Sequence, residues 1–149
     1  MGVLFGYYAA ADDRAAAGAI ERDDNEAFGV GYDGFVVKGV DPMVNLLPAE
    51  ALLTGRSPDE ARADPRHTRL LAMVGDGEVV AVTLADTLRD ALAAPDDGSL
   101  AGIAVAWSGS DAFADPAEPD HLAVFLRRLA ALARRAAGRG HRLYCWICV

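Results

Sequence analysis

Apolar residues along this chain fall into short strand-like runs and a few three- and four-residue spacings, punctuated by glycine, proline and aspartate. The run over residues 3–8, Val3-Leu4-Phe5-Gly6-Tyr7-Tyr8, predicts an opening strand with both faces partly covered. Asp12 or Asp13 is placed to cap an alanine-rich helix to about Glu21, followed by a charged loop from Arg22 to Glu26. The glycine-rich turn Gly29 to Gly34 leads into a second short strand, Phe35-Val36-Val37. Asp41-Pro42 predicts a helix start, with Val44, Leu46, Leu47, Leu52 and Leu53 as its apolar positions, a bend or break at Pro48 and a stop at Gly55.

Ser57-Pro58-Asp59-Glu60 matches a capping box, and Pro65 ends that short helix near Asp64. Leu70–Val74 and Val79–Leu84, joined by Gly75-Asp76-Gly77, read as a β-hairpin. A helix from about Asp86 to Ala94 follows, then a short turn capped by Asp96 or Asp97 through Leu100 and Ile103. The segment from Trp107 to Asp120 reads as the longest loop. From about Asp120 to Ala137, Leu122, Phe125, Leu126, Leu129, Leu132 and Ala136 lay one apolar stripe on a long helix. Residues 142–148 end the pattern as a strand with Leu143, Cys145 and Ile147 on one side and Tyr144, Trp146 and Cys148 on the other. A strand apolar on both faces belongs inside a sheet. These elements predict a single α+β domain over residues 1–149. Its mixed sheet has about four or five strands, with the terminal strands near its centre, covered by the long C-terminal helix and several short ones.

Composition narrows the function classes. A hydrophobic fraction of 52% over 149 residues supplies a core, and a formal net charge of −8 argues against nucleic-acid binding. No run reaches the length of a membrane span, and the first apolar run lacks the basic start of a signal peptide. Two cysteines form no disulfide framework, so a soluble protein of the cytoplasm is expected. Arg127, Arg128, Arg134, Arg135, Arg139 and Arg142 concentrate in residues 121–149, which hold no carboxylate side chain. Such a helix either lies among acidic neighbours and complements its own dipole or offers a docking face to an acidic partner. Lys38, the only lysine, reads as compositional bias.

Each motif has a structural explanation that competes with chemistry. Gly29, Gly31 and Gly34 spell the dinucleotide-binding G-x-G-x-x-G, yet no strand precedes them and no helix follows, so a turn is expected. Cys145-Trp146-Ile147-Cys148 is a C-x-x-C on a strand, where residues three apart face opposite ways, so the thiols diverge and neither metal nor redox use is expected. No nucleophile elbow surrounds any serine, and the carboxylate pairs Asp12-Asp13, Asp23-Asp24, Asp59-Glu60 and Asp96-Asp97 sit at loops and helix starts. Trp107, in a turn-rich stretch, is either a core anchor or a displayed contact, with the anchor favoured. Tyr7 and Tyr8 carry the same two alternatives, since they point to opposite faces of their strand and one of them can be exposed; Tyr8 is the candidate contact.

Three passages carry a resemblance. The start Met1-Gly2-Val3-Leu4-Phe5-Gly6-Tyr7-Tyr8, the helix end Leu52-Leu53-Thr54-Gly55, and the close on a long alanine-rich helix with a short apolar strand are similar to the YfbM-like family of uncharacterised bacterial proteins. The resemblance implies an α+β fold with a mixed sheet and brings no activity or catalytic residue. Two functions are therefore expected in parallel. One is a non-enzymatic binding or protein-interaction module, immunity-like in masking a partner, with a protein partner or a homo-oligomer as its assembly. The other is a small enzyme or small-molecule binder with a pocket near Trp107 and a Tyr/His cluster. Candidate contacts are Tyr8, Trp107, Arg127, Arg128, Arg134 and Arg135; no catalytic residue, cofactor or metal is assigned, and neither nucleic acid nor membrane is expected as a partner.

Overall fold

The last strand of the chain is the middle of its sheet. The structure, a computed structural model, describes residues 2–21 and 27–149; Met1 and the expected charged loop Arg22–Glu26, with its Asp23-Asp24 pair, lie outside them. Five strands, β1 (Leu4–Ala10), β2 (Gly34–Lys38), β3 (Leu70–Val74), β4 (Val79–Thr83) and β5 (Arg142–Cys148), stand in the order β2-β1-β5-β4-β3. Every neighbouring pair is antiparallel, which corrects the expectation of a mixed sheet. The reason lies in β5: it runs opposite to both β1 and β4, so those two strands, which point the same way, never meet.

The two apolar faces of β5 divide the core as its alternation requires. Leu143, Cys145 and Ile147 join Phe5, Tyr7 and Ala9 beneath the helices, while Tyr144 and Trp146 join Tyr8 and Ala10 on the opposite face. Gly6 shares that second face, and the Trp146 indole lies directly across it: a Cβ at Gly6 would stand 2.0 Å from the ring. Gly6→Ala is therefore expected to destabilise the fold by about 2 kcal/mol, as overpacking does. Urea denaturation measures it, and an unchanged midpoint would mean that the indole simply steps aside.

Six helices, α1 (Asp13–Ala17), α2 (Leu47–Thr54), α3 (Pro58–Ala63), α4 (Asp86–Ala93), α5 (Asp97–Ser108) and α6 (Pro119–Gly138), complete the described residues. No described helix is long and apolar enough to cross a membrane. Asp12 caps α1 by accepting from the Ala15 amide at 2.8 Å. The helix stops well short of Glu21 because the Tyr8 and Tyr32 hydroxyls donate to the Ala16 and Ala15 carbonyls, and tighter turns carry the chain through Ile20. The expected start at Asp41-Pro42 is a turn: Asp41 accepts from the Met43 amide at 2.7 Å, and the helix opens only at Leu47. Pro48, which lacks the amide a helix interior needs, sits in its first turn instead of breaking it. Gly55 ends α2 at φ 72°, and Ser57 and Glu60 form both bonds of the capping box.

The largest departure is α5, a 12-residue helix where a short turn was expected. Leu100, Ala104 and Trp107 give it one buried face, and that burial overrides two interior glycines, Gly98 and Gly102. Trp107 thus belongs to the last helical turn, and the loop begins at Gly109. The expected stripe of α6 holds: Leu122, Phe125, Leu126, Leu129, Leu132 and Ala136 are all buried, and α6 packs on the sheet.

Candidate functional site

At one end of the seam between β2 and α6 the surface opens into a cleft of about 360 Å³. One wall is Val37 to Val40, where β2 runs out of the sheet; the other is Glu118, His121, Leu122 and Phe125 from the start of α6. Phe113, Pro116 and Ala117 of the connecting loop close the end. The floor is apolar, with Lys38, Glu118 and His121 as the ionisable side chains around it. Lys38 and His121 have no ion-pair partner among the described residues.

Three residues behind the lining hold this shape. Tyr7 packs edge-on against Phe125, with centroids 5.3 Å apart, and its hydroxyl donates to the Val40 carbonyl at 2.7 Å. Trp107 packs against Phe113 and Phe125 at 5.5 and 5.8 Å. Its Nε1 donates to the Asn45 carbonyl at 2.8 Å, so the tip of the buried ring is satisfied. Asn45 is the common clamp: its Nδ2 donates to Ala112 at 2.7 Å, and its Oδ1 accepts from the Asp41 amide at 2.8 Å. One residue thereby ties three segments: its side-chain amide joins the turn after β2 to the loop that carries Phe113, and its main-chain carbonyl holds the end of α5.

Along the same seam a second hollow, about 250 Å³, is lined by Gly34, Phe35, Arg128, Ala131 and Arg135. Arg128, in the lining of this second hollow, holds its guanidinium 4.5 Å above the Phe35 ring, a cation–π contact. Arg128 has no carboxylate partner among the described residues. Arg135 is held by Asp33 through two bonds of 2.7 and 3.0 Å, which keep the Asp33 carboxyl below its usual range.

The candidate residues divide accordingly. Arg128 and Arg135 line the seam, Arg134 donates to the Ala93 and Pro95 carbonyls beside α4, and Arg127 stands exposed. Tyr8 and Trp107 are 2% and 0% exposed, so neither displays surface to a partner. Trp107 is an anchor behind the cleft, because its ring completes a cluster with two phenylalanines. Both Tyr7 and Tyr8 are buried, since each face of β1 is covered. Sequence reasoning missed Lys38, Phe113, Glu118 and Asn45, and gave His121 no role of its own. A lone lysine at a strand end and a phenylalanine in a polar loop were the available signals.

The remaining motifs resolve into packing. Gly29 and Gly31 adopt φ of 75° and 87°, and a Cβ on Gly34 would stand 2.3 Å from the Tyr7 carbonyl, so the glycine triplet is a turn and a close strand approach. Cys145 is buried among the helix-side apolar residues and Cys148 packs on the other face; burial pushes the Cys145 thiol well up, keeping it protonated. Among the described residues no three His, Cys, Asp or Glu side chains converge to hold a metal ion.

Asp13 stands in the first turn of α1, as expected of a helix-start carboxylate, and is also the hub of a polar network. It accepts from Arg66 at 3.0 and 3.1 Å, from Arg69 at 2.8 Å and from the Tyr144 hydroxyl at 2.8 Å. The Arg66 bonds first, and then that of Tyr144, pull its pKa from 3.8 to about 2 against the opposing effect of burial. This network sits at the end of the sheet where α1, β5 and the segment before β3 meet, and it has the geometry of a structural tie. No family model, curated protein or solved structure matches this chain, so its function rests on these residues alone.

Proposed function

We propose that this protein is a non-enzymatic binding module whose recognition site is the cleft at the β2–α6 seam. The carrying observation is an apolar hollow of about 360 Å³ with Lys38 and His121 at its rim, neither ion-paired among the described residues. Few polar groups around an apolar floor are what a binding site needs: the floor supplies affinity and the rim supplies orientation. Among the described residues, Cys145, Trp107 and Asp13 are engaged in structure. With two unbridged thiols, a reducing cytoplasm suits the protein.

The alternative, a small-molecule binder or enzyme, draws on the same hollow. Its volume falls in the small-ligand range, and His121 is an imidazole at its mouth suited to acid–base work. Tyr7 and Trp107 stand one layer behind it.

Both readings require the cleft to bind. Titration of the full chain with anilinonaphthalene sulfonate, an apolar anion, is expected to shift amide resonances at residues 37–40 and 113–125. Ala117→Phe, which fills the hollow from its loop side, is expected to abolish those shifts while leaving the circular dichroism unchanged. Shifts scattered elsewhere, or unaffected by the substitution, would remove the cleft as the site.

A further inference from the structure

The seam is more than a hole, because one of its walls is an open sheet edge. β2 pairs with β1 on one side and with nothing on the other among the described residues. The Ala9 amide donates to the Asp33 carbonyl, so Asp33 and, by alternation, Phe35 and Val37 turn their main-chain groups toward β1. Gly34, Val36 and Lys38 therefore turn theirs outward, and these same three residues are exposed. Natural edges are blunted by proline, bulges or inward charges. β2 has no proline, its register with β1 runs unbroken from Gly34 to Lys38, and its one charge is at the end.

Charge marks both walls. Arg128 on α6 and Lys38 at the end of β2 have no carboxylate partner among the described residues, Arg135 and Asp33 balance each other, and Glu118 is the one carboxylate in the cleft lining, while the chain as a whole carries −8. Against that background the seam is a local place for acids. We infer that it takes an extended, acidic segment of a partner protein as an added strand on β2, with an apolar side chain seated in the cleft. This deepens the proposed function and rests on the cleft being a binding site.

Geometry sets the pattern. Side chains of an added strand alternate, and those on the α6 side fall beside Phe35 and Val37, two residues apart. Beside Phe35 stands the Arg128 guanidinium; beside Val37 the cleft opens. The segment therefore carries an Asp or Glu two positions from a large apolar residue. Main-chain bonds to Gly34, Val36 and Lys38 hold it, and the pair of side chains selects it.

The test uses the full chain and a fluorescent, end-blocked nonapeptide of threonines with one glutamate two positions from one phenylalanine. Binding in the range of tens of micromolar is expected by polarisation. A counterpart with lysine for the glutamate is expected to bind at least 10-fold more weakly, as is one N-methylated at the amides facing β2. Arg128→Glu should reverse the preference between the two charged peptides, which mere loss of stability could not do. Val36→Pro, which removes only an outward amide, should weaken binding without altering the circular dichroism. Equal binding of the N-methylated peptide would overturn strand addition, and an unreversed preference would overturn the Arg128 contact. If no peptide binds while anilinonaphthalene sulfonate still occupies the cleft, the partner class is wrong and the binding site stands; if neither binds, both fall. A chain that sediments as a dimer and becomes monomeric in Val36→Pro would show that a second copy takes the edge, which also overturns the inference.

Discussion

Trp107→Ala is expected to cost about 4 kcal/mol, the range for deleting a large buried aromatic. The ring is fully buried, so its loss leaves a void between α5 and α6 and strips Phe113 and Phe125 of their backing. It also leaves the Asn45 carbonyl without the indole donor, a polar penalty added to the cavity. For a chain of this size the melting temperature should fall by on the order of 10 °C. Urea denaturation gives the energy, and a loss below about 1 kcal/mol would show that the indole is not the anchor described. Trp107→Phe should recover most of the packing and none of the hydrogen bond. The difference between the two variants isolates the contribution of Nε1.

The second large effect is at Asp13, and it depends on pH. Asp13→Asn keeps the shape but removes the charge that receives Arg66, whose side chain is only 16% exposed, and Arg69. With only Asp86 left to it, at 3.9 Å, the largely enclosed Arg66 guanidinium is poorly compensated, and about 2 kcal/mol at pH 7 is expected after allowance for solvent at the site. The folded protein holds this carboxyl at about 2, below its value of 3.8 in a free chain. A depressed carboxyl contributes stability that is complete above the unfolded value and is lost as pH falls through the folded one. The wild type should therefore lose stability between about pH 4 and pH 2, with Asp33 and Asp64 adding loss of the same sign. The gap between wild type and Asp13→Asn should close over that interval, as read from urea midpoints at pH 7, 4 and 2.5. A gap that stayed constant would mean that the variant's defect is steric and not electrostatic.

Elements set by local rules were legible in the sequence. Ser57 and Glu60 three apart, Gly55 in the left-handed region, the paired glycines around Asp76 and the stripe of α6 each follow from neighbours within one or two turns. The central place of β5 was also legible, because apolar residues on both faces admit no other position. What escaped depended on partners far along the chain. The end of α1 is decided by Tyr8 and Tyr32 taking its carbonyls, and the length of α5 by what Trp107 meets. Strand direction escaped for the same reason, since only the assembled order shows β5 separating β1 from β4. The cleft was hidden more deeply: Lys38, Phe113 and His121 are distant in sequence and share no motif, and Tyr7, Trp107 and Asn45 together hold their segments in place.

The place of β5 has a consequence for how the molecule is made. β1 pairs with β2 and β4 with β3 from nearby parts of the chain, but the two pairs are joined only when β5 arrives between them. Leu4 finds Cys148, and Ala10 finds Arg142, across nearly the whole length of the polypeptide. Without β5 the two half-sheets have open inner borders, rich in valine and tyrosine, which are expected to attract other chains. Pairings of this separation are expected to slow the closing of the sheet. A variant cut before β5 is expected to aggregate instead of folding as a smaller domain.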